Sequence, residues 1–165
     1  VQLSPGDGTA DIVQIAKGQS EAPNIAALLK DASKTKIFHY ALFDVAALYH
    51  AFGAMTQTIF CTKIASRLTR TYTDRHGLKD LCAELLGVEL SKQQQSSDWA
   101  AARLSQQQLA YAASDVLYLH GLKEKLDAML ERENRRAFAE AAFSFLPVRA
   151  RLDLAGFAED DIFAH

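Results

Sequence analysis

The chain has 165 residues, of which 49% are hydrophobic, and its formal net charge is -2. This length suits one domain with its own hydrophobic core, and the charge argues against a protein that wraps long nucleic acid through a strongly basic face. No apolar run is long enough to cross a bilayer and no secretory leader begins the chain, so we expect a cytoplasmic protein. Cys61 and Cys82 lack metal-site spacing and are expected to be buried thiols.

The first half of the chain alternates short strands with helices. The predicted elements are a hairpin of residues 1–3 and 11–15, a helix from Pro23, a strand at 36–39, a helix at 45–52 ended by Gly53, a strand at 58–61 and a helix from Lys63. This alternation indicates the α/β class. It also places Asp44 at a junction between a strand and a helix.

The second half reads as mostly helical. The predicted elements are a helix at 77–86 closed by Gly87, a polar loop at 93–97, a helix that begins after Ser105 and continues into the charged block 131–136, and a helix at 137–145 that Pro147 breaks. The remaining tail, residues 151–165, carries apolar side chains. We expect it to dock on the domain or on a neighbouring subunit.

A basic cluster lies between Cys61 and Lys79. Within it, Lys63, Arg67 and Arg70 follow helical spacing and are expected to share one face. Such a face suits phosphates or a partner subunit, and a solvated helix surface explains it equally well.

Tyr111 and Asp115 are the strongest catalytic candidates from spacing. Ser105 and Gln108 form a capping box at the start of their helix, so the phenol and the carboxylate lie one turn apart on one face. The alternative is a buried tyrosine beside a solvated aspartate.

Asp44 adds a second carboxylate from a distant part of the chain. Oxygen ligands suit Mg²⁺ or Mn²⁺, and two such ions ~3.5–4 Å apart can clamp the attacking and leaving oxygens of a phosphodiester. Two carboxylates are too few for that arrangement. An ordinary helix N-cap is the alternative role of Asp44.

Three parts of the sequence resemble the second and third motifs of ribonuclease D-like exonucleases. They are His39-Tyr40-Ala41-Leu42-Phe43-Asp44, then Ser97-Asp98-Trp99 followed by Leu104-Ser105, and Tyr111-Ala112-Ala113-Ser114-Asp115. These enzymes form the DEDDy class of 3'-to-5' exonucleases, named for four acidic metal ligands and the tyrosine. Residues 60–66, 68–78, 91–99 and 161–165 resemble the nanoRNase C family more closely, so the resemblance covers essentially the whole chain.

The resemblance implies a role for each matched residue. Asp115 is expected to bind the metal that activates water, Asp44 the metal nearer the leaving group, and Tyr111 is expected to orient the attacking water. Substrate contacts are expected from His39, Tyr40, Arg75 and Lys92. For His39 a core position at a strand end is equally plausible, isolated lysines such as Lys92 are more often solvated, and Trp99 is expected in the core rather than stacked on a base.

The chain departs from the family pattern at its front. The first motif, Asp-x-Glu, precedes the strand that Val1-Gln2-Leu3 resembles, and its two carboxylates are absent here. In an RNase H-like exonuclease fold, a mixed sheet flanked by helices, that first strand lies between the Val1 strand and the Lys36 strand. We therefore expect a fragment of a longer protein, with residues 1–128 forming an incomplete exonuclease domain and residues 129–165 a helical extension that makes oligomer contacts.

The implied function is a Mg²⁺- or Mn²⁺-dependent 3'-to-5' exoribonuclease that hydrolyses short RNA, especially diribonucleotides, to nucleoside 5'-monophosphates. A homo-oligomeric ring is the implied assembly, with the tail and the Lys63, Arg67 and Arg70 face as candidate contacts. Two alternatives stay open. One is a broader exonuclease on longer RNA or single-stranded DNA, and the other is a non-catalytic nucleic-acid-binding module.

Overall fold

The computed structural model describes residues 1–91 and 96–164, and it has the expected mixture of strands and helices. Its strands are β1 (Gln2–Leu3), β2 (Asp11–Ile12), β3 (Lys36–Phe38) and β4 (Ile59–Cys61). Its helices are α1 (Pro23–Lys30), α2 (Ala41–Phe52), α3 (Thr62–Thr69), α4 (Leu78–Leu81), α5 (Gln106–Leu117), α6 (Leu119–Arg132) and α7 (Arg136–Leu152). Two π-helical turns, Cys82–Leu86 and Asp153–Phe157, follow α4 and α7.

The strands form two separate pairs. β1 and β2 are antiparallel, whereas β3 and β4 are parallel, with Phe38 opposite Cys61. Within the described residues no hydrogen-bonded ladder joins the two pairs. Two disconnected pairs are what the resemblance predicts for this sheet when no strand lies between them.

The main core lies between the β3–β4 pair and the helices α6 and α7. Leu122, Leu126 and Leu130 are fully buried at four-residue spacing on α6. From β4, the Phe60 ring packs against Phe143 of α7 with centroids 4.9 Å apart. The extension therefore shares the core of the preceding residues, while a domain boundary at residue 128 stays a prediction.

Pro147 does not break the last helix, contrary to the prediction. It lies inside α7, whose buried positions continue on both sides of it, at Phe143, Leu146 and Ala150. Spacings of three and four residues keep these side chains on one face, and their burial offsets the hydrogen bond that proline cannot donate.

Two other helix boundaries also differ from the prediction. The long helix after Ser105 is interrupted at Tyr118, although α6 does continue into the charged block, to Arg132. In addition α2 begins at Ala41, so Asp44 lies in the first turn of the helix and Tyr40 is the N-cap residue. The N-cap alternative for Asp44 was wrong.

The β1–β2 hairpin packs on the start of α6 at Gly6. This glycine has φ +90°, and a Cβ placed on it would lie 2.7 Å from Cδ2 of His120. Only glycine fits this contact, because any side chain would overlap the imidazole. The hairpin thereby sits beside α5 and α6, which carry the candidate site.

The C-terminal tail folds back on α7. Arg149 donates to the backbone carbonyls of Phe157, Ala158 and Asp160, and the rings of Phe145 and Phe163 lie 6.0 Å apart. Docking on the domain was one of the two predicted outcomes. Over the stretch that the structure describes, no helix has the length and apolar character needed to span a membrane.

Both cysteines are buried and free, as predicted. Burial raises the pKa of the Cys82 thiol to about 11, and the Cys61 sulfur accepts from the backbone N–H of Ala41 at 3.4 Å. Cys61 thus helps to fix the start of α2.

Candidate active site

Helix α5 places Tyr111 and Asp115 on one face, as predicted. The capping box is formed on both sides: Ser105 Oγ accepts from the Gln108 N–H at 3.2 Å, and Gln108 Oε1 accepts from the Ser105 N–H at 2.8 Å. Satisfying these two donors fixes the first turn of the helix. The positions of the phenol and the carboxylate, four residues apart, follow from that start.

Gln108 also connects α5 to the segment before it. Its Nε2 donates to Ser97 Oγ at 3.1 Å and to the Asp98 carbonyl at 2.8 Å. This connection brings Trp99 to Tyr111, with ring centroids 5.9 Å apart. The prediction of a core tryptophan was wrong, because Trp99 remains 38% exposed beside the phenol.

Asp44 and Asp115 come together electrostatically. Burial raises the pKa of Asp44 to about 6, and the negative charge of Asp115 contributes to that rise. The pKa of Asp115 is itself raised by burial. Two carboxylates from helices distant in the sequence therefore share one partly desolvated region, which is the arrangement expected for them.

Tyr111 experiences the same environment. Burial, and then the charge of Asp115, raise the pKa of its phenol. The phenol therefore holds its proton more tightly than free tyrosine does. This favours positioning of a water molecule over proton acceptance as its role.

The donors fit a divalent cation in part. Asp44 and Asp115 offer oxygen ligands, which Mg²⁺ and Mn²⁺ prefer, and a bound cation would relieve the repulsion that raises the pKa of Asp44. Over residues 1–91 and 96–164, however, no group of three or more His, Cys, Asp or Glu side chains could hold a metal. The pair therefore suits part of a metal site and requires further ligands for a complete one.

A cavity of about 160 Å³ lies beside Tyr111 and Asp115. It is lined by residues 77–80, Leu90, Ser91, Tyr111, Ser114 and Asp115. Sites for whole small-molecule ligands are usually ~300–1,000 Å³. This cavity therefore has room for one part of a nucleotide substrate.

His39 and Tyr40 lie between β3 and α2. The Thr62 hydroxyl donates to the Phe38 carbonyl at 3.1 Å, so it accepts from Nδ1 of His39, 3.0 Å away. Burial, and then the charge of Lys63, lower the pKa of His39 to about 4, which keeps the ring neutral. His39 is half-buried, and a substrate contact from it stays a prediction.

Tyr40 has an unusual backbone conformation for a residue with a side chain. Its φ is +67°, in the left-handed region, and its ring is 51% exposed with the Lys63 ammonium 4.2 Å from the centroid. Neither His39 nor Tyr40 lines the cavity beside Tyr111.

The remaining expected phosphate contacts are Arg75 and Lys92. The Arg75 guanidinium is paired with Asp80, with Nε 2.9 Å from Oδ1. Asp80 lines the cavity, so Arg75 lies at its edge, already engaged. Lys92 falls outside the described residues, and its role stays a prediction.

The proposed shared face of Lys63, Arg67 and Arg70 is wrong for Arg70. Helix α3 ends at Thr69, and the Arg70 side chain is fully buried, where it pairs with Glu84 and donates to the Arg75 carbonyl at 2.7 Å. It cannot hold an external phosphate or a partner. Arg67 is exposed, whereas Lys63 packs over Tyr40.

Sequence reasoning missed Lys79, Asp80 and Ser114 in the cavity wall. Lys79 had been noticed only as the end of the basic cluster. Ser114 precedes Asp115 directly, and its hydroxyl donates to the Tyr111 carbonyl at 2.6 Å. No spacing rule connects residues 77–80 to α5, because their meeting depends on tertiary packing.

Comparison with known proteins identifies the family. The family model described as 3'-5' exonuclease matches residues 1–131. The chain belongs to the 3'-5' exonuclease family. Ribonuclease D of Gluconacetobacter diazotrophicus is 36% identical over 135 residues, which cover 82% of this chain and 34% of that protein. The chain thus spans about a third of the length of the curated relatives it matches.

Solved structures from Brucella melitensis are more similar. NrnC bound to pGG is 67% identical with a TM-score of 0.96, and the match covers 99% of this chain and 79% of that one. NrnC with bound Mg²⁺ is 66% identical with a TM-score of 0.96, and covers 99% and 80%. These findings confirm the resemblance to ribonuclease D-like and nanoRNase C enzymes and the RNase H-like exonuclease fold.

Proposed function

We propose that this chain is the exonuclease portion of a cytoplasmic 3'-to-5' exoribonuclease that depends on Mg²⁺ or Mn²⁺. It removes nucleotides one at a time from short RNA, favours diribonucleotides and releases nucleoside 5'-monophosphates. The observation that carries this proposal is that Asp115 lies close enough to Asp44 to raise its pKa, and that Asp115 and Tyr111 line one cavity.

The chain's residues divide the chemistry between binding and positioning. Asp44 and Asp115 would hold the cations, together with ligands from outside this pair. When bound, the cations activate water and stabilise the charge that develops on the leaving oxygen. Tyr111, which retains its proton, holds the attacking water by a hydrogen bond. His39 and Tyr40 contact the nucleotide.

Short RNA suits the charge and size of the site. With a net charge of -2, counterion release contributes little, and a dinucleotide offers few phosphates for it. Affinity must then come from a pocket, and the cavity beside Tyr111 accommodates one part of a nucleotide. The presence of pGG in the similar NrnC structure supports the same substrate class.

A homo-oligomeric ring is the proposed assembly. Exposed apolar side chains lie along α7 and the tail, including Phe138, Val148 and Phe163. A surface of this kind suits contacts between subunits.

The test uses the protein together with the further metal ligands that the Asp44 and Asp115 pair requires, and compares rates on a diribonucleotide and on longer RNA or single-stranded DNA, at equal salt, with Mg²⁺ and with Mn²⁺. We expect kcat/KM to be highest for the diribonucleotide and to vanish in EDTA. A preference for long RNA would favour the broader exonuclease. An absence of hydrolysis with either ion, with no effect of Asp115→Asn on binding, would favour the non-catalytic module.

A further inference from the structure

The wall of the cavity opposite α5 carries a positive charge that no role yet explains. Among the described residues that line the cavity, Lys79 is the one cationic side chain, and Asp115 belongs to the same lining. No described carboxylate forms an ion pair with Lys79, which is exposed. Its ammonium is therefore available to an anionic ligand.

Arg75 is less available than its charge suggests. Its guanidinium donates to Oδ1 of Asp80 through two nitrogens, one of them Nε at 2.9 Å. Because Asp80 also lines the cavity, this pair neutralises a carboxylate that would otherwise repel a phosphate. The ion pair with Asp80 compensates the charge of Arg75. Lys79 is then the cationic residue of the described cavity lining that has no such ion pair.

A buried network fixes the segment that presents Lys79. Arg70 donates to Ser66 Oγ at 3.0 Å and to the Arg75 carbonyl at 2.7 Å, and it pairs with Glu84. The Ser66 hydroxyl also contacts Nδ1 of His76 at 2.8 Å. The network fixes Arg70 and His76, at the two ends of this segment. Residues 77–80, which line the cavity, therefore begin from a defined position.

A phosphate at this site needs a cation on that wall. Cations held by Asp44 and Asp115 would attract a phosphate from the α5 side, and Lys79 is the cationic residue that the described cavity lining adds to them. Lysine binds phosphate as a compact charge and does not require the planar geometry of arginine. Its flexible stem adapts to a phosphate held mainly by other contacts.

We propose that Lys79 binds a phosphate of the RNA substrate and that Asp80 keeps Arg75 from doing so. The inference rests on the proposed exonuclease function and assigns a substrate contact within it. The phosphate is either the linkage between nucleotides or a 5'-terminal phosphate, and the two sources are separable by experiment.

The test measures KM and kcat of the full chain in its active assembly, for Lys79→Gln and wild type. The substrates are the diribonucleotides pGG and GG, with and without a 5'-phosphate. Lys125→Gln is the matched control, since Lys125 is an exposed lysine on α6 away from the cavity. We expect Lys79→Gln to raise KM about three- to tenfold with little change in kcat, and the control to change neither.

The pattern across substrates identifies the phosphate. A rise in KM for pGG alone assigns Lys79 to the 5'-phosphate, and an equal rise for both substrates assigns it to the linkage. The slope of log KM against log salt should also fall by about 0.7 in the variant. An unchanged KM on both substrates, in a wild type that cleaves them, overturns the assignment. A wild type that cleaves neither refutes the proposed function itself.

Asp80→Asn tests the second part of the proposal. Release of Arg75 beside the cavity should lower KM or leave it unchanged, because a cation is gained and a carboxylate is lost. A higher KM would mean that Asp80 itself binds the substrate, and it would contradict the proposal.

Discussion

Two charged clusters in the molecule are built in opposite ways, the pair Asp44 and Asp115 and the network around Arg70. In one, burial raises the pKa values of Asp44 and Asp115, and the charge of Asp115 adds to the rise at Asp44. In the other, the fully buried Arg70 makes four hydrogen bonds, to Glu84, Ser66 and the Arg75 carbonyl.

The contrast distinguishes a cluster of charges that can bind a ligand from a cluster that stabilises the fold. A buried charge with complete partners is satisfied within the fold and has no capacity for a ligand. Like charges gathered without a cation destabilise the fold, and this cost is recovered when a cation binds. By this criterion the aspartate pair has the properties of a cation-binding site, and the arginine network has those of a structural cluster.

Replacement of a cation ligand should give the largest effect. Asp115→Asn removes one of two carboxylates, so we expect hydrolysis of a diribonucleotide to fall at least about 100-fold. Thermal stability in EDTA should be unchanged or higher, since a repulsive charge is lost. Steady-state rates and melting curves on the same samples check this. A large loss of stability would place Asp115 among the structural charges and break the distinction.

Removal of the buried guanidinium should show the reverse pattern. Arg70→Leu deletes hydrogen bonds inside the fold, and we expect the free energy of unfolding to fall by about 2–3 kcal/mol. Glu84 is 42% exposed and can regain water, which limits the loss. Denaturant titration measures it, with Glu84→Gln as the milder partner variant. A stability equal to wild type would contradict the supporting role.

The pH dependence of stability sharpens the contrast further. Asp44 titrates near 6 in the folded protein against an ordinary 3.8, so between those values the folded state retains a proton that the unfolded state has lost. Stability without metal should therefore fall as pH rises through this window. Asp44→Asn lacks this cost, and we expect it to exceed wild type by on the order of 1–2 kcal/mol at pH 7 and to match it near pH 3.5.

His39 contributes the opposite dependence. Its pKa is lowered from 6.5 to about 4, so its stabilisation is present above 6.5 and is lost as pH falls towards 4. Because both proteins carry His39, its effect cancels in the difference between Asp44→Asn and wild type. If the difference in stability between Asp44→Asn and wild type did not change with pH, the pKa of Asp44 would not be raised in the folded protein.

The smallest effect concerns the ring that contacts Tyr111. Trp99→Leu removes an aromatic contact of the kind that contributes ~0.5–1.5 kcal/mol. If it helps to hold the phenol, kcat should fall about two- to tenfold while KM changes little. Trp99→Phe, which keeps an aromatic ring beside Tyr111, is the control and should retain kcat. An unchanged kcat in Trp99→Leu would leave Tyr111 positioned by its own helix alone.

Local signals predicted much of the fold. The capping box at Ser105, the glycine at the end of α2 and the alternation of strands with helices each depend on neighbouring residues, and the structure has all three. Pro147 misled because burial of one continuous helix face outweighed a local preference. Helix propensity is a local property and does not include the free energy gained when that face is buried.

The site was predictable only where motifs are contiguous. Spacing and resemblance both indicate Asp44, Tyr111 and Asp115, and the catalytic roles of these three residues stay predictions. Lys79 and Asp80 line the cavity because segments distant in the sequence pack together. Arg70 is buried because it pairs with Glu84, which is 14 residues away in the chain. Sequence spacing shows helical neighbours and does not show which charges will find partners.

The chain has one tryptophan, and its ring lies 5.9 Å from the ring of Tyr111. Its indole is therefore an intrinsic fluorophore at the edge of the candidate site, partly open to water. Titration with Mg²⁺ or a nucleotide can be followed through its emission, without an added dye, when the excitation wavelength selects the indole over the five tyrosines.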